Sequence, residues 1–327
     1  MKSPFLAALA CVCILPCRAS ADLPLGSAMV HFASQSEGAQ TLTAKDDFIQ
    51  RLSPFDRSAR MKTDKPVSEA EFLKFVKRNV VDWTTEEVQT VQTAVEAIQP
   101  LLRGLPLSLP PTIQFVKTTG AEEANAAYTQ GTAIVLPKAD LGRSQKDLQK
   151  LICHELFHIL SRHNPELRER LYGIIGFTKC NEIQLPPELK RRKITNPDAP
   201  RNDHFIRLHI DGRESCAVPI IFASVAKYDA KRGGELFAYL QFAFLVVAKS
   251  SGSQTFEAVD EGSSPKLVGM QRVSGFMEQV GRNTDYIIHP EEILADNFAL
   301  LVLNEQNLAS PEIPQKMREV LARKTTP

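Results

Sequence analysis

Among the 327 residues, His154-Glu155-Leu156-Phe157-His158 is the segment whose residue types and spacing could do chemistry. On a helix, two histidines four positions apart differ by about 40° in rotation and about 6 Å along the axis. Both imidazoles can therefore reach one metal ion, and zinc is the ion this donor pair suits. The glutamate between them lies beside the metal without having to bind it. It can take a proton from a water that the metal acidifies, which is the chemistry of hydrolysis. With seven His in the chain, random order would produce this His-Glu-x-x-His pattern about 0.01 times.

The helix must be long, rigid and dry for this to work. Ser144 and Asp147 mark its start, and the pattern predicts a helix from Gln145 to Arg162. Leu148, Leu151, Ile152, Leu156, Phe157, Ile159 and Leu160 give it an apolar coat. The alternative is a pair of hydrogen-bonded core histidines with Glu155 as a buried ion-pair partner. Without metal or cation, that burial would be costly.

The motif resembles the gluzincins, the thermolysin-like class of zinc metallopeptidases. In that class a later helix supplies a third ligand, the Glu of a Glu-x-x-x-Asp pattern whose Asp orients the first His. Glu292-Ile-Leu-Ala-Asp296 fits the pattern. The resemblance implies that His154, His158 and Glu292 bind Zn2+, that Glu155 is the general base, and that Asp296 accepts a hydrogen bond from His154. It also implies a peptide or protein substrate held along a strand edge just before the catalytic helix, a place that Thr132 to Leu136 occupies. Glu291 competes with Glu292, but its fourth neighbour is Ala295, which cannot orient a histidine. Glu292 follows His158 by 134 residues (292 − 158), so a long insertion has to fill the interval.

Other zinc arrangements fit worse. The longer metzincin pattern needs Gly at 161 and His at 164, where this chain has Ser161 and Asn164. His163 reads as a helix-terminal residue. His204 and His209, five apart on a strand, point to opposite faces and read as structural. A donor for a developing oxyanion is also needed. Tyr286 and His289, just before the Glu292 helix, are the candidates, with Tyr128 a weaker one.

The remaining elements form an α+β pattern, a zincin-like core of helices and a small mixed sheet with a β-rich insertion. Residues 1–21 read as a signal peptide cleaved after Ala21, which implies a secreted or periplasmic protein. Pro16 before Cys17 argues against a lipoprotein. Residues 22–66 read as a polar extension, a pro-segment or a loosely packed arm. Residues 67–176 contain two capped helices, a strand at Ile113–Thr118, a strand or hairpin over Ala127–Pro137, and the motif helix. Residues 177–264 are β-rich, with a hairpin at Asp211-Gly212 and an apolar run from Leu236 to Val247. That run is a buried strand or core helix, and at twelve residues it is too short for a membrane span. Residues 265–327 are helical.

The formal net charge of +1 points to no nucleic acid and no anionic membrane surface. Of six cysteines, Cys153, Cys180 and Cys216 lie beyond residue 21. Cys180–Cys216 is the more natural pair if any disulfide forms, with three free thiols the alternative. Two further functions compete with peptide hydrolysis. One is a non-catalytic zinc-binding or interaction protein, against which Glu155 argues. The other is zinc-dependent hydrolysis of a non-protein substrate.

Overall fold

The computed structural model describes residues 23–250 and 252–323; the expected signal peptide lies outside them. The fold is α+β. A five-stranded mixed sheet comprises β1 (Pro24–Leu25), β2 (Ala28–Phe32), β3 (Thr112–Thr118), β4 (Tyr128–Gln130) and β5 (Ala133–Pro137). Its order is β1-β2-β3-β5-β4. β3 runs parallel to β2 and β5, and β4 is antiparallel to β5. Residues alternate between its faces as a strand requires. Ile113, Phe115, Ile134 and Leu136 enter the main core, while Val116, Ala133 and Val135 enter a second one on the opposite face.

Helices cover both faces of this sheet. One side carries α1 (Gln35–Leu42), α2 (Asp47–Arg51) and α4 (Glu69–Asn79); the other carries α5 (Thr85–Ile98) and α6 (Gln145–His163). α3 (Pro54–Arg60) packs in a separate cluster with Ile194, Ala223, Tyr228 and Tyr239. α1 and α3 to α5 begin with a Ser or Thr whose side chain accepts a backbone N–H three residues on, in reciprocal capping boxes. α6 follows the expected motif helix and runs one residue further.

The segment 22–66 corrects one expectation. It is neither an extension nor an arm in its described part. β2 is hydrogen-bonded to β3 inside the sheet, and Leu25, Leu42, Phe48, Ile49 and Phe55 are buried. Its apolar residues are spread over short elements of two to eight residues, so no window along the sequence shows a period.

After α7 (Pro165–Ile174) come β6 (Phe177–Lys179) and α8 (Pro187–Arg192). Then β7 (His204–Ile210), β8 (Arg213–Ala223) and β9 (Leu240–Lys249) form an antiparallel meander. Asp211 and Gly212, at φ 50° and 78°, make the tight turn between β7 and β8. The Leu236–Val247 run is a short 3₁₀ turn followed by most of β9.

The last segment is less helical than expected: the strand Val273–Ser274 pairs with β7 before α9 (Phe276–Val280). α10 (Pro290–Val302) and α11 (Glu312–Ala322) then close the chain. α10 packs along α6, with the Phe157 and Phe298 rings 5.6 Å apart. The three cysteines beyond residue 21 are free thiols. Among the described residues, no helix is long and apolar enough to cross a membrane.

Candidate metal centre

α6 and α10 face one another at the centre of the molecule, and their facing polar residues converge. His154 Nε2 lies 3.1 Å and His158 Nε2 3.6 Å from the same atom, Glu292 Oε2. The other ring nitrogens are held from behind. His154 Nδ1 donates to Asp296 Oδ1 at 2.9 Å, and His158 Nδ1 donates to Glu291 Oε1 at 3.0 Å. With Nδ1 committed as a donor, each neutral ring turns the lone pair of Nε2 toward the shared point. Thr284 Oγ1 supports Asp296 from its far oxygen. Asn196 Nδ2 donates to Glu292 Oε1 at 2.5 Å.

The neighbourhood is dry and acidic. Glu155, His158, Glu291 and Glu292 are each almost fully buried. Glu155 Oε2 and His158 Nε2 are buried with no hydrogen-bond partner, a costly condition unless something else engages them. Burial, then the nearby Asp198 carboxylate, pushes Glu155 up to about 8. Burial opposes a charge on His158, but Asp198 and Glu292 outweigh it and hold the ring up at about 9. For Glu292, burial is likewise outweighed by the two histidines and Asn196, and the carboxyl falls to about 2. A carboxylate thus faces two imidazoles that favour the charged form. A single cation at the shared point would replace those protons and satisfy His158 Nε2. Only ligand atoms of His154, His158 and Glu292, and separately of Glu155, His158 and Asp198, group closely enough for that, within 4.8 Å of one another, among the described residues.

The expected third position, Glu292, therefore stands beside both histidines, and Asp296 reaches His154. Glu291 is not an idle competitor. It orients His158, and it also accepts from Ser161 Oγ at 2.5 Å and from the Tyr172 hydroxyl. The sequence signal was the Glu291-Glu292 doublet itself, since two adjacent residues of a helix both buried must serve different partners.

His289 differs from its expected role as an oxyanion donor. Its Nδ1 accepts the Glu291 backbone N–H at 3.1 Å and caps α10. Burial, then the neighbouring His204, lowers it to about 4, so the ring is neutral. It packs against Tyr172, on the Glu291 side of the cluster. Tyr286 is 43% exposed and lines a small hollow with Asn196 and Asp198. Burial of its hydroxyl and the carboxylates of Glu292, Asp198 and Glu155 raise that group above the ordinary tyrosine range.

Tyr128 is buried in β4. His163 ends α6 at the surface, exposed. His204 is buried between Asp203 and Glu169, whereas His209 points outward from the same strand.

The strand edge also moves. β5, which contains Thr132–Leu136 in part, is interior, and β4 is the edge. Its Thr129 N–H and Oγ1 donate to Asp198 Oδ1 at 2.8 and 2.5 Å. Asp198 and Asn196 belong to a strap, residues 193–203, that crosses from α8 to β7 over the cluster. From residue type alone this stretch predicts turns. The available signal was Asn196-Pro197-Asp198-Ala199-Pro200, two polar residues stiffened by two prolines. Comparison with family models, curated proteins and solved structures finds no match to this chain.

Proposed function

We propose that this protein is a zinc-dependent hydrolase of peptide bonds, built on a zincin-like core of the kind the gluzincins have. The observation that carries the reading is the convergence of two imidazole Nε2 atoms on one oxygen of Glu292, with Glu155 Oε2 buried beside them and unpartnered. His154, His158 and Glu292 would hold the ion, as two nitrogens and one oxygen on a rigid helix pair. Zinc so held supplies Lewis acidity, which polarises a carbonyl and acidifies a water.

The chain's own residues do the rest. Asp296 and Glu291 keep both histidines in the Nδ1–H tautomer. Glu155 takes a proton from the attacking water as its oxygen bonds to the carbonyl carbon. The same carboxylic acid then returns that proton to the departing amine as the C–N bond breaks. Tyr286, which lines the hollow beside Asn196 and Asp198, would donate toward the carbonyl oxygen. His154, at 14% side-chain exposure, marks the side from which substrate reaches the centre. A purely structural zinc site has no use for an unligated buried carboxylate at Glu155, which disfavours the non-catalytic alternative.

The test is metal content and hydrolysis together. Dialysed protein should hold about one zinc per chain by elemental analysis and cleave unfolded protein or short peptides. A chain that takes up no zinc sinks the reading. Glu292→Ala should abolish stoichiometric zinc. Glu291→Gln should retain zinc but weaken it about 10–100-fold in competition with a chelator, the usual cost of losing a partner that orients a ligand. Equal zinc affinity in Glu291→Gln and wild type would remove Glu291 from that role.

A further inference from the structure

Asp198 is left over from this mechanism, and its surroundings assign it a partner. Its side chain is 8% exposed, and a carboxylate oxygen lies within 4.8 Å of His158 and Glu155 ligand atoms. Glu155 and Asp198 thus lie beside His158, while Glu292 lies beside both histidines. Within 4 Å of Asp198, the one cationic group among the described residues is Arg162, at 3.8 Å through Nη2. Arg162 is also engaged elsewhere, through Nη1 to Gly131 O at 3.0 Å. Beside it, Glu155 Oε2 is buried and unpartnered.

The strap that carries Asp198 is a fixed wall. Arg60 Nη2 donates to Thr195 O, and Thr195 N and Oγ1 donate to Asp56 at 3.0 and 2.7 Å. Asp198 N donates to Asn196 Oδ1 at 3.0 Å, and Asn196 holds Glu292. Asp198 in turn consumes the Thr129 N–H of the β4 edge. An extended chain pairs with an edge strand through such donors. Here a substrate chain running past Asp198 would lose one and meet the strap.

Resting on the zinc-hydrolase reading above, we propose that Asp198 binds the free α-ammonium group of the substrate, making the protein an aminopeptidase. The distances select that group. In a peptide the amino nitrogen and carbonyl carbon of one residue are about 2.5 Å apart, whereas each additional residue needs about 3.3–3.6 Å more. An ammonium about 2.8 Å from Asp198 can belong to the residue whose carbonyl is attacked, because the Asp198 carboxylate lies within 4.8 Å of His158 and Glu155 ligand atoms. The sign of the charge selects the amino end, because a substrate carboxylate would be repelled. The hollow beside Asp198, lined by Ala126, Ala127, Ile194, Phe237 and Tyr286, would take an apolar first side chain.

The experiment compares alanine and leucine 4-nitroanilides with their N-acetylated forms on the zinc-loaded full chain, for wild type and Asp198→Asn. The Asn variant keeps an acceptor for Thr129 and removes only the charge. Wild type should prefer the free amine. Asp198→Asn should raise KM for it, lowering kcat/KM about 10–100-fold, the cost of losing one charged hydrogen bond. Zinc content should stay unchanged. Calorimetry with alanine hydroxamate and its N-acetyl form gives a readout independent of turnover, and the free-amine advantage should vanish in the variant. Asp198→Glu should restore part of it.

Equal cleavage of free and acetylated substrates by wild type overturns the aminopeptidase assignment and leaves the zinc-hydrolase reading standing. Higher activity in Asp198→Asn also overturns it, and identifies Asp198 as a fourth metal ligand or a block. Failure of the zinc-loaded wild type to cleave any of these compounds or a protein substrate overturns both.

Discussion

Glu155→Gln should keep its zinc and lose hydrolysis about 100- to 10,000-fold, the span that a positioned general base contributes. The substitution is nearly isosteric and touches none of the three proposed ligands, so metal content separates lost chemistry from a lost site. It has a second consequence that a generic loss of folding would not produce. Glu155 is buried, one of its oxygens has no hydrogen-bond partner, and Asp198 and Glu292 repel its charge. An amide removes that repulsion along with the cost of a buried charge. The metal-free variant should therefore melt no lower than wild type. Full hydrolysis by a zinc-loaded Glu155→Gln protein would remove Glu155 from the reaction.

This expectation starts from five consecutive residues, and those were readable because one helix sets the geometry. His154, Glu155 and His158 need only a period of 3.6 residues and an apolar coat to be placed relative to one another. Glu292 and Asp296 needed more, since their approach to His154 depends on α10 lying along α6 although Glu292 follows His158 by 134 positions (292 − 158). A spacing rule suggested them, and packing sets the distance. Glu291, Asn196 and Asp198 were not readable. Glu291 looked redundant because its own helix offers it Ala295, whereas its partners His158, Ser161 and Tyr172 all lie on other helices. Asn196 and Asp198 sit in a proline-bounded loop, where residue type predicts a turn and says nothing of what the turn covers.

The fold divides in the same way. Capped helices and the Asp211-Gly212 hairpin follow from local chemistry. The sheet order does not, because β2 joins β3 by parallel pairing across an intervening stretch that holds five helices, and such pairing leaves no turn signature. That is why residues 22–66 read as an arm. Their polar surface was visible, while their backbone partners lay far along the chain. The same segment supplies Asp56 and Arg60, which hold the strap over the His154–His158–Glu292 cluster. A part of the chain that reads as dispensable is thereby tied to the part that would recognise substrate.

Arg60→Met tests that tie and should cost about 3–5 kcal/mol of stability. Arg60 is 2% exposed and donates to Glu123 through Nε and Nη2 at 2.7 and 2.6 Å. Its Nη1 reaches Asp56 Oδ1 at 2.6 Å. Methionine fills similar volume but strands two buried carboxylates, and stranding them is the expensive step, since a buried pair replaced as a whole can be nearly neutral. The denaturant midpoint should fall with little change in slope. Adding Asp56→Asn and Glu123→Gln to Arg60→Met should then recover a large part of the loss. By contrast, Lys62→Ala, which breaks the exposed pair with Glu235 at 2.6 Å, should change stability by less than about 1 kcal/mol. Because Thr195 hangs from Arg60 and Asp56, Arg60→Met should also weaken free-amine selectivity although it leaves Asp198 in place. If Arg60→Met unfolds at the wild-type midpoint, the Arg60 cluster is not what joins residues 22–66 to the strap.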